Sequence, residues 1–368
     1  VEGRLTDTGL QITQAMTIID PHLWTIILAA GDGTRLLPLT RAIHGEDLPK
    51  QFARLCGDKS LLQRTVLRAM QWSAPERIVV VVARDRERLA AEQLASHGRF
   101  DLVAQPTNLG TGPGLLLPLV NVLAKNHDAR VVILPSDHFV KAEEAFAAAL
   151  HRAVTRVTRT GGTVLIGATP ENAEEQYGWI VPCRERTPGV FGVSSFREKP
   201  DAAAARELAA NGALWSTFVL ASRAHALVEL ARATIPAQVD LFEDYRRAIY
   251  TSRRLAVLSD IYSRMTPADF SRNVLEHSRD LEVVPLPPCG WSDWGTPERV
   301  LESLRGTSAH EELLRRLEEA SCRIDRPRPW SPRPTVASPL PPARRSPRHL
   351  LPLHQPPQRP HLPLRRQP

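Results

Sequence analysis

The chain has 368 residues, 42% of them hydrophobic, enough for one large α/β domain or two smaller ones around a sizeable core. Its formal charge of +7 is concentrated: residues 325–368 hold nine Arg, no Lys and one Asp, a charge of +8, which leaves −1 for the rest. The basic balance is thus a tail property and argues for no nucleic-acid partner, and no apolar run approaches the ~20 residues of a membrane span.

The four cysteines, Cys56, Cys183, Cys289 and Cys322, lack metal-site spacing and fit free thiols in a reducing compartment. The polar N-terminus carries no basic-then-apolar signal. These features lead to the expectation of a cytoplasmic protein without a membrane partner, and they are compatible with an oligomer. Met16, shortly before the first strand, is the expected start, with residues 1–15 a disordered extension.

In chain order, the β-branched run 24–28 reads as a buried strand, followed by a glycine turn at 30–35. Ser60 to Gln63 forms a capping box that starts a helix to about residue 72. Strand 77–82, a charged helix at 85–97, strand 101–104, helix 111–124 and strand 130–134 follow. The second half reads as helix 141–159, strands at 163–167, 178–182 and 190–197, helix 201–210 and strand 214–220. Helices near 223–232, 238–250 and 267–277 lead to a short strand at 281–285. Thr296-Pro297-Glu298 opens a helix, and one more runs to about 320. Strands alternating with helices predict an α/β fold with a mostly parallel sheet flanked by helices. Ligands bind such sheets at the carboxyl ends of the strands, where the Gly31 turn and Asp137 fall. From residue 325 on, 14 of the 32 prolines accompany arginine without any apolar period, so the tail is expected to be disordered.

The stretch 28–52, LAAGDGTRLLPLTRAIHGEDLPKQF, carries the densest chemistry. Gly31 and Gly33 permit tight turns and close backbone approach, and successive N–H groups there can cradle phosphate oxygens. Arg35 adds a two-point cation and Lys50 a compact ammonium. The glycines alone also fit an ordinary turn, and neither GxxxxGK[ST] nor GxGxxG is satisfied. Only five lysines stand against 42 arginines, and two of them lie in PKQF and Glu198-Lys199-Pro200, where a flexible point charge suits the site better than a rigid fork.

GxGTRLxPLT…PKQF resembles the signature of the sugar-1-phosphate nucleotidyltransferases, and its PKQF ending is most similar to the mannose-1-phosphate guanylyltransferase branch. The resemblance spans roughly residues 22–305. It implies a Rossmann-like, glycosyltransferase-A-like fold, with residues 1–22 an extension, 23–322 the catalytic domain and 323–368 the tail. It also implies nucleotidyl transfer from GTP to mannose 1-phosphate with Mg²⁺ as cofactor. Arg35 and Lys50 would be catalytic. Ala30, Gly31, Gly33, Thr34, Asn108 and Thr111 would meet the nucleotide.

Later motifs extend the resemblance. LPSDH places Asp137 past a strand end, as a metal ligand in the family or simply a turn cap. In GWSDWGTP, Asp293 is the family's second metal ligand or an Asx turn. Asn108 and Thr111 in QPTNLGTGP would face base and ribose, unless the loop is merely polar and capped by Thr111. The YGW segment implies that Gly178 meets the sugar. The REKP segment implies sugar hydroxyls on Glu198 and sugar phosphate on Lys199, unless the two form a surface ion pair. Family members commonly read W-N-S/T next, whereas this chain has Trp215-Ser216-Thr217, so Ser216 occupies the position of a sugar-binding Asn with a shorter side chain. Three alternatives remain: the same chemistry with glucose 1-phosphate and UTP or dTTP, a non-catalytic nucleotide-sugar sensor, and a basic tail that serves as a nucleic-acid or partner-binding arm.

Overall fold

Parity along the first apolar run decides which helix each side chain meets. The computed structural model describes residues 20–324. The expected extension up to residue 19 with Met16, the basic tail from 325 and the side chain of Cys322 lie outside the described residues. In chain order β1 (Leu23–Ala29) is followed by α1 (Leu37–His44), α2 (Leu61–Ala69), β2 (Ile78–Ala83), α3 (Glu87–Leu94), β3 (Asp101–Gln105), α4 (Thr111–Lys125) and β4 (Arg130–Pro135). Next come α5 (Glu143–Thr160), β5 (Thr163–Ala168), β6 (Gly178–Thr187), β7 (Val190–Glu198), α6 (Ala202–Ala210) and β8 (Leu214–Arg223). The remainder is α7 (Ala224–Thr234), α8 (Pro236–Ala248), α9 (Arg254–Arg264), α10 (Phe270–Asn273), β9 (Glu282–Leu286), α11 (Pro297–Leu304) and α12 (Ser308–Ile324).

The strands form one mixed sheet in the order β3-β2-β1-β4-β8-β5-β9-β7-β6. The expected parallel character holds for strand direction: β7 and β8 run against the other strands. Ile27, Val80, Val82 and Leu134 point to the face covered by α2, α3 and α5. Ile26, Val79, Val81 and Ile133 point to the face covered by α4, α7, α8 and α9. Each such buried side chain contributes about 1.5–3 kcal/mol. Helix α4 is apolar almost all round because it is buried from Gly112 to Val122.

The second half of the sheet closes on itself. Strand β6 pairs with β7 and also with β8 through Trp179↔Trp215, so β8, β5, β9, β7 and β6 form a ring. Trp179 is fully buried, with its ring edge-on to Trp215.

Some elements differ from the sequence expectation. Helix α1 begins inside the LPLT motif, with Pro38 in its first turn and Gly45 (φ 79°) ending it. Helix α9 buries Leu258, Ile261 and Tyr262 at helical spacing, a pattern too short to stand out beside its exposed Leu255. The helix expected at 267–277 is two pieces, α10 and a 3-10 turn at Leu275–His277, because Val274 (φ −116°) leaves helical geometry. Strand β6 runs through exposed polar residues to Thr187, held by hairpin pairing that apolar periodicity cannot reveal. Helix α12 continues to Ile324, past the boundary expected at 322. Among the described residues no helix is long and apolar enough to cross a membrane.

Candidate active site

Strand β1 delivers the chain to the glycine turn at the sheet's carboxyl edge. Gly33 takes φ +59°, and a Cβ there would sit 3.0 Å from the Lys50 backbone nitrogen. This close approach needs glycine. The turn runs into a 3-10 turn at Thr34–Leu36 and then α1, so the start of a helical run faces the turn. Gln51, only 3% exposed, fastens the turn: its Nε2 donates to Ala29 O at 3.0 Å and to Gly31 O at 2.7 Å. Arg35 is exposed and reaches over Gly295, where a Cβ would lie 3.2 Å from its Nη2.

Lys50 is 8% exposed, an unusual burial for an ammonium, and carbonyl and carboxylate oxygens compensate it. Its Nζ lies 3.0 Å from Asp137 Oδ2 and donates to Asp293 O at 2.6 Å. One ammonium therefore gathers two segments 156 positions apart in sequence. His138 beside it is pushed down to about 4 by burial, with the charges of Asp137 and Asp293 opposing that shift. It is therefore neutral, and Trp291 Nε1 donates to its Nδ1 at 3.3 Å.

Burial pushes the Asp293 carboxyl up, but hydrogen bonding from Tyr177 and the charges of Lys50 and Arg299 outweigh it and hold the group below the usual carboxylate range. Its Oδ1 accepts from Tyr177 Oη at 2.6 Å and from Gly295 N–H at 3.0 Å. The next residue, Trp294, sits at φ 47° and stacks on Phe139. This strained position turns the chain so that the Gly295 N–H meets Oδ1.

A cleft of about 300 Å³ opens beside the glycine turn, lined by Ala30, Gly31, Asn108, Thr111, Asp137 and Phe218 among others. Asn108 spans its mouth, with Nδ2 donating to Asp32 Oδ2 at 3.3 Å and Oδ1 accepting the Gly110 N–H at 3.1 Å. Thr111 Oγ1 accepts the Phe270 N–H at 2.7 Å, which gives it a fastening task beside the expected one.

A second, shallower hollow adjoins it, lined by His138, Tyr177, Gly178, Glu198, Lys199, Ser216, Phe218 and Asp293 among others. Gly178 makes room for Glu198: a Cβ would lie 2.8 Å from Glu198 Oε2 and from Phe196. Burial raises the Glu198 carboxyl, and the Lys199 ammonium 3.4 Å away opposes that rise. Lys199 sits at φ 48°, with its N–H donating to Tyr177 O at 3.1 Å. Ser216 Oγ accepts the Phe218 N–H at 3.3 Å, so its hydroxyl is partly spent on the local turn.

Ala30, Gly31, Asn108, Thr111 and Asp137 line the first hollow, and Gly178, Glu198, Lys199, Ser216 and Asp293 the second. Gly33, Arg35 and Lys50 line neither, although Lys50 touches Asp137 and the Asp293 carbonyl, and Thr34 borders a separate hollow with Asp32, Asp47 and Arg86. The sequence reading missed the fastening by Gln51 and the group Glu174, Tyr177 Oη and Arg299 around Asp293. PKQF contained Gln51, and its signal was a polar residue of fixed length beside an obligatory glycine turn. Arg299 and Glu174 had none.

Among the described residues no group of three or more His, Cys, Asp or Glu is placed to hold a metal ion. A cation here would rest on two carboxylates. The carboxylates of Asp137 and Asp293 are oxygen donors of the kind that suits a hard divalent ion whose other positions go to phosphate and water oxygens, and Lys50 links the two segments through the Asp137 carboxylate and the Asp293 backbone carbonyl. Asp293 Oδ2 has no hydrogen-bond partner among the described residues and is open to such an ion.

The chain belongs to the nucleotidyl transferase family: the family model "Nucleotidyl transferase" matches residues 24–309. The Xanthan biosynthesis protein XanB of Xanthomonas campestris pv. campestris is 33% identical over 282 residues, 75% of this chain and 58% of that protein. A mannose-1-phosphate guanylyltransferase of Salmonella muenchen is 31% identical over 282 residues, 74% of this chain and 57% of that protein. The chain therefore spans under three fifths of these curated relatives. A crystal structure titled mannose-1-phosphate geranyltransferase, from Thermus thermophilus, superposes with a TM-score of 0.67 at 27% identity, covering 77% of this chain and 79% of that one.

Proposed function

We propose that the protein transfers a guanylyl group from GTP to mannose 1-phosphate, giving GDP-mannose and pyrophosphate. One observation carries this reading: Lys50 lies between Asp137 and the Asp293 turn, directly behind the glycine turn that ends β1. The relatives named mannose-1-phosphate guanylyltransferase support the choice of substrates.

A sugar-phosphate oxygen is already ionised at neutral pH, so the reaction needs no general base. That oxygen attacks the α-phosphorus, and the bond from the α-phosphorus to the bridging oxygen breaks as pyrophosphate leaves. In-line alignment and charge neutralisation remain to be supplied. Arg35 and the backbone of Gly31–Thr34 hold the β and γ phosphates. Lys50 neutralises charge gathering at the α-phosphate. Asn108, Ala30 and Thr111 border the base and ribose. Glu198 takes sugar hydroxyls, with Gly178 giving it room, and Lys199 places the sugar phosphate. Asp137 and Asp293 Oδ2 would hold Mg²⁺, which when bound would supply positive charge to the reacting phosphates.

The test is pyrophosphate release with Mg²⁺ across GTP, UTP, dTTP, CTP and ATP, each with mannose 1-phosphate and glucose 1-phosphate. The expected signal is with GTP and mannose 1-phosphate. Turnover with UTP or dTTP and glucose 1-phosphate would move the specificity and keep the chemistry. A second reading, a nucleotide-sugar sensor, draws on Ser216, which stands where the family's sugar-binding Asn is expected and whose short hydroxyl already accepts the Phe218 N–H. GDP-mannose binding without Mg²⁺ and without any turnover would favour it.

A further inference from the structure

Arg299 is the third residue of α11, the helix that begins just after the Asp293 turn. Its Nη1 donates to Tyr177 Oη and to Asp293 Oδ1, both at 3.0 Å. Its Nη2 pairs with Glu174, and its guanidinium lies 4.8 Å from the centre of the Tyr177 ring. With Tyr177 Oη and the Gly295 N–H, three donors converge on Asp293 Oδ1. A carboxylate oxygen has about two lone-pair directions, so Oδ1 is filled and the plane of the carboxylate is set. Oδ2 is left for anything outside the protein.

The same contacts reach toward the sugar-facing residues. Glu174 and Tyr177 belong to the segment that leads into β6, and Tyr177 O accepts the Lys199 N–H. Tyr177 therefore touches Asp293 with its hydroxyl and Lys199 with its carbonyl. The Arg299 fork holds both ends of that segment onto α11.

We propose that Arg299, acting through Tyr177, is a positioning residue that presents Asp293 to the cation by Oδ2 alone and docks the sugar-facing segment 174–178 against it, so that cation and sugar phosphate favour each other's binding. This rests on the reading of Asp293 as a metal ligand. Groups directly behind a metal ligand typically matter about 10–100-fold in metal affinity. A lysine keeps the charge but lacks the planar fork that serves Tyr177, Asp293 and Glu174 together.

The test is Mn²⁺ titration of the full chain followed by electron paramagnetic resonance, first alone and then with mannose 1-phosphate. Folding is checked by circular dichroism. Arg299→Ala is expected to weaken Mn²⁺ binding about tenfold or more and to shrink the gain in Mn²⁺ affinity that mannose 1-phosphate brings. Arg299→Lys is expected to recover little of either, and Tyr177→Phe to lose part of both. A folded Arg299→Ala with the parent's Mn²⁺ affinity and the parent's gain overturns the proposal. Should Arg299→Ala not fold, parent-like values in Tyr177→Phe overturn it. Asp293→Ala separates the two readings. If it leaves Mn²⁺ affinity intact, the metal reading falls and takes this one with it. If it abolishes binding while Arg299→Ala and Tyr177→Phe match the parent, only the positioning role falls.

Discussion

The turn after β1 and the wall formed by β6, β7 and β8 border adjoining hollows, with Phe218 lining both, and they are assembled differently. The turn is local. Gly31, Gly33, Arg35, Lys50 and Gln51 lie within 21 positions, and the Gln51 side-chain amide donates to the backbone carbonyls of Gly31 and of Ala29 just before that stretch. The wall is collected from afar: Tyr177, Glu198, Ser216, Asp293 and Arg299 arrive on separate elements, and side chains join Tyr177, Asp293 and Arg299. A site built from one stretch depends on backbone geometry. A site built from five depends on side-chain contacts, and single substitutions can uncouple its parts.

Substitutions can sharpen this contrast, beginning where the two sides meet. Lys50→Ala removes the cation shared by Asp137 and the Asp293 turn, and turnover should fall on the order of 10²–10³-fold with the fold retained. Steady-state kinetics with a thermal melt checks it, and unchanged turnover would remove Lys50 from the chemistry. Gln51→Ala frees two carbonyls that one amide satisfied, at about 1–3 kcal/mol, and should raise the KM for nucleotide about tenfold while leaving that for sugar phosphate alone. Equal rises in both KM values would show that the turn is not a separate unit. Gly178→Ala forces a Cβ to 2.8 Å from Glu198 and should do the reverse, raising the sugar-phosphate KM about tenfold at constant nucleotide KM.

Acidification should separate the sides more gently. Burial raises the Glu198 carboxyl, whereas Asp293 is held low, so Glu198 takes up its proton first as pH falls. Sugar-phosphate affinity should then drop before cation affinity does, by a few-fold. Glu198→Gln should remove this acid limb, and the substrate's own phosphate titration cancels in the ratio of parent to variant. The smallest effect is expected at Ser216. Ser216→Ala loses one bond to the Phe218 N–H, about 1 kcal/mol, and kcat/KM should stay within about fivefold. A larger loss would mean that its hydroxyl meets the sugar.

The same contrast explains what the sequence made legible. The glycine turn, PKQF and the β-branched strands 24–28 and 77–82 declare themselves because their causes are local: positive φ, a fixed reach, a continuous apolar run buried on both faces. The two aspartates could be named, but their meeting around Lys50 depends on the whole sheet. Arg299 looked like an ordinary residue in the first turn of a helix. Its importance comes from Glu174 and Tyr177, more than 120 positions earlier. The β6–β8 pairing was likewise invisible, since neither Trp179 nor Trp215 announces its partner.

Closure of that ring also sets an order of assembly. Strands β1 to β4 come from residues 23–135 and pair among themselves without help from later chain, except along one edge of β4. The ring needs β9, which joins β5 to β7 and lies at Glu282–Leu286. Contacts so distant along the chain form slowly. During synthesis the glycine-turn half can take shape while the wall waits for the last strand, and pulse-labelled hydrogen exchange should show β1, β2 and β4 protected before β6 and β7.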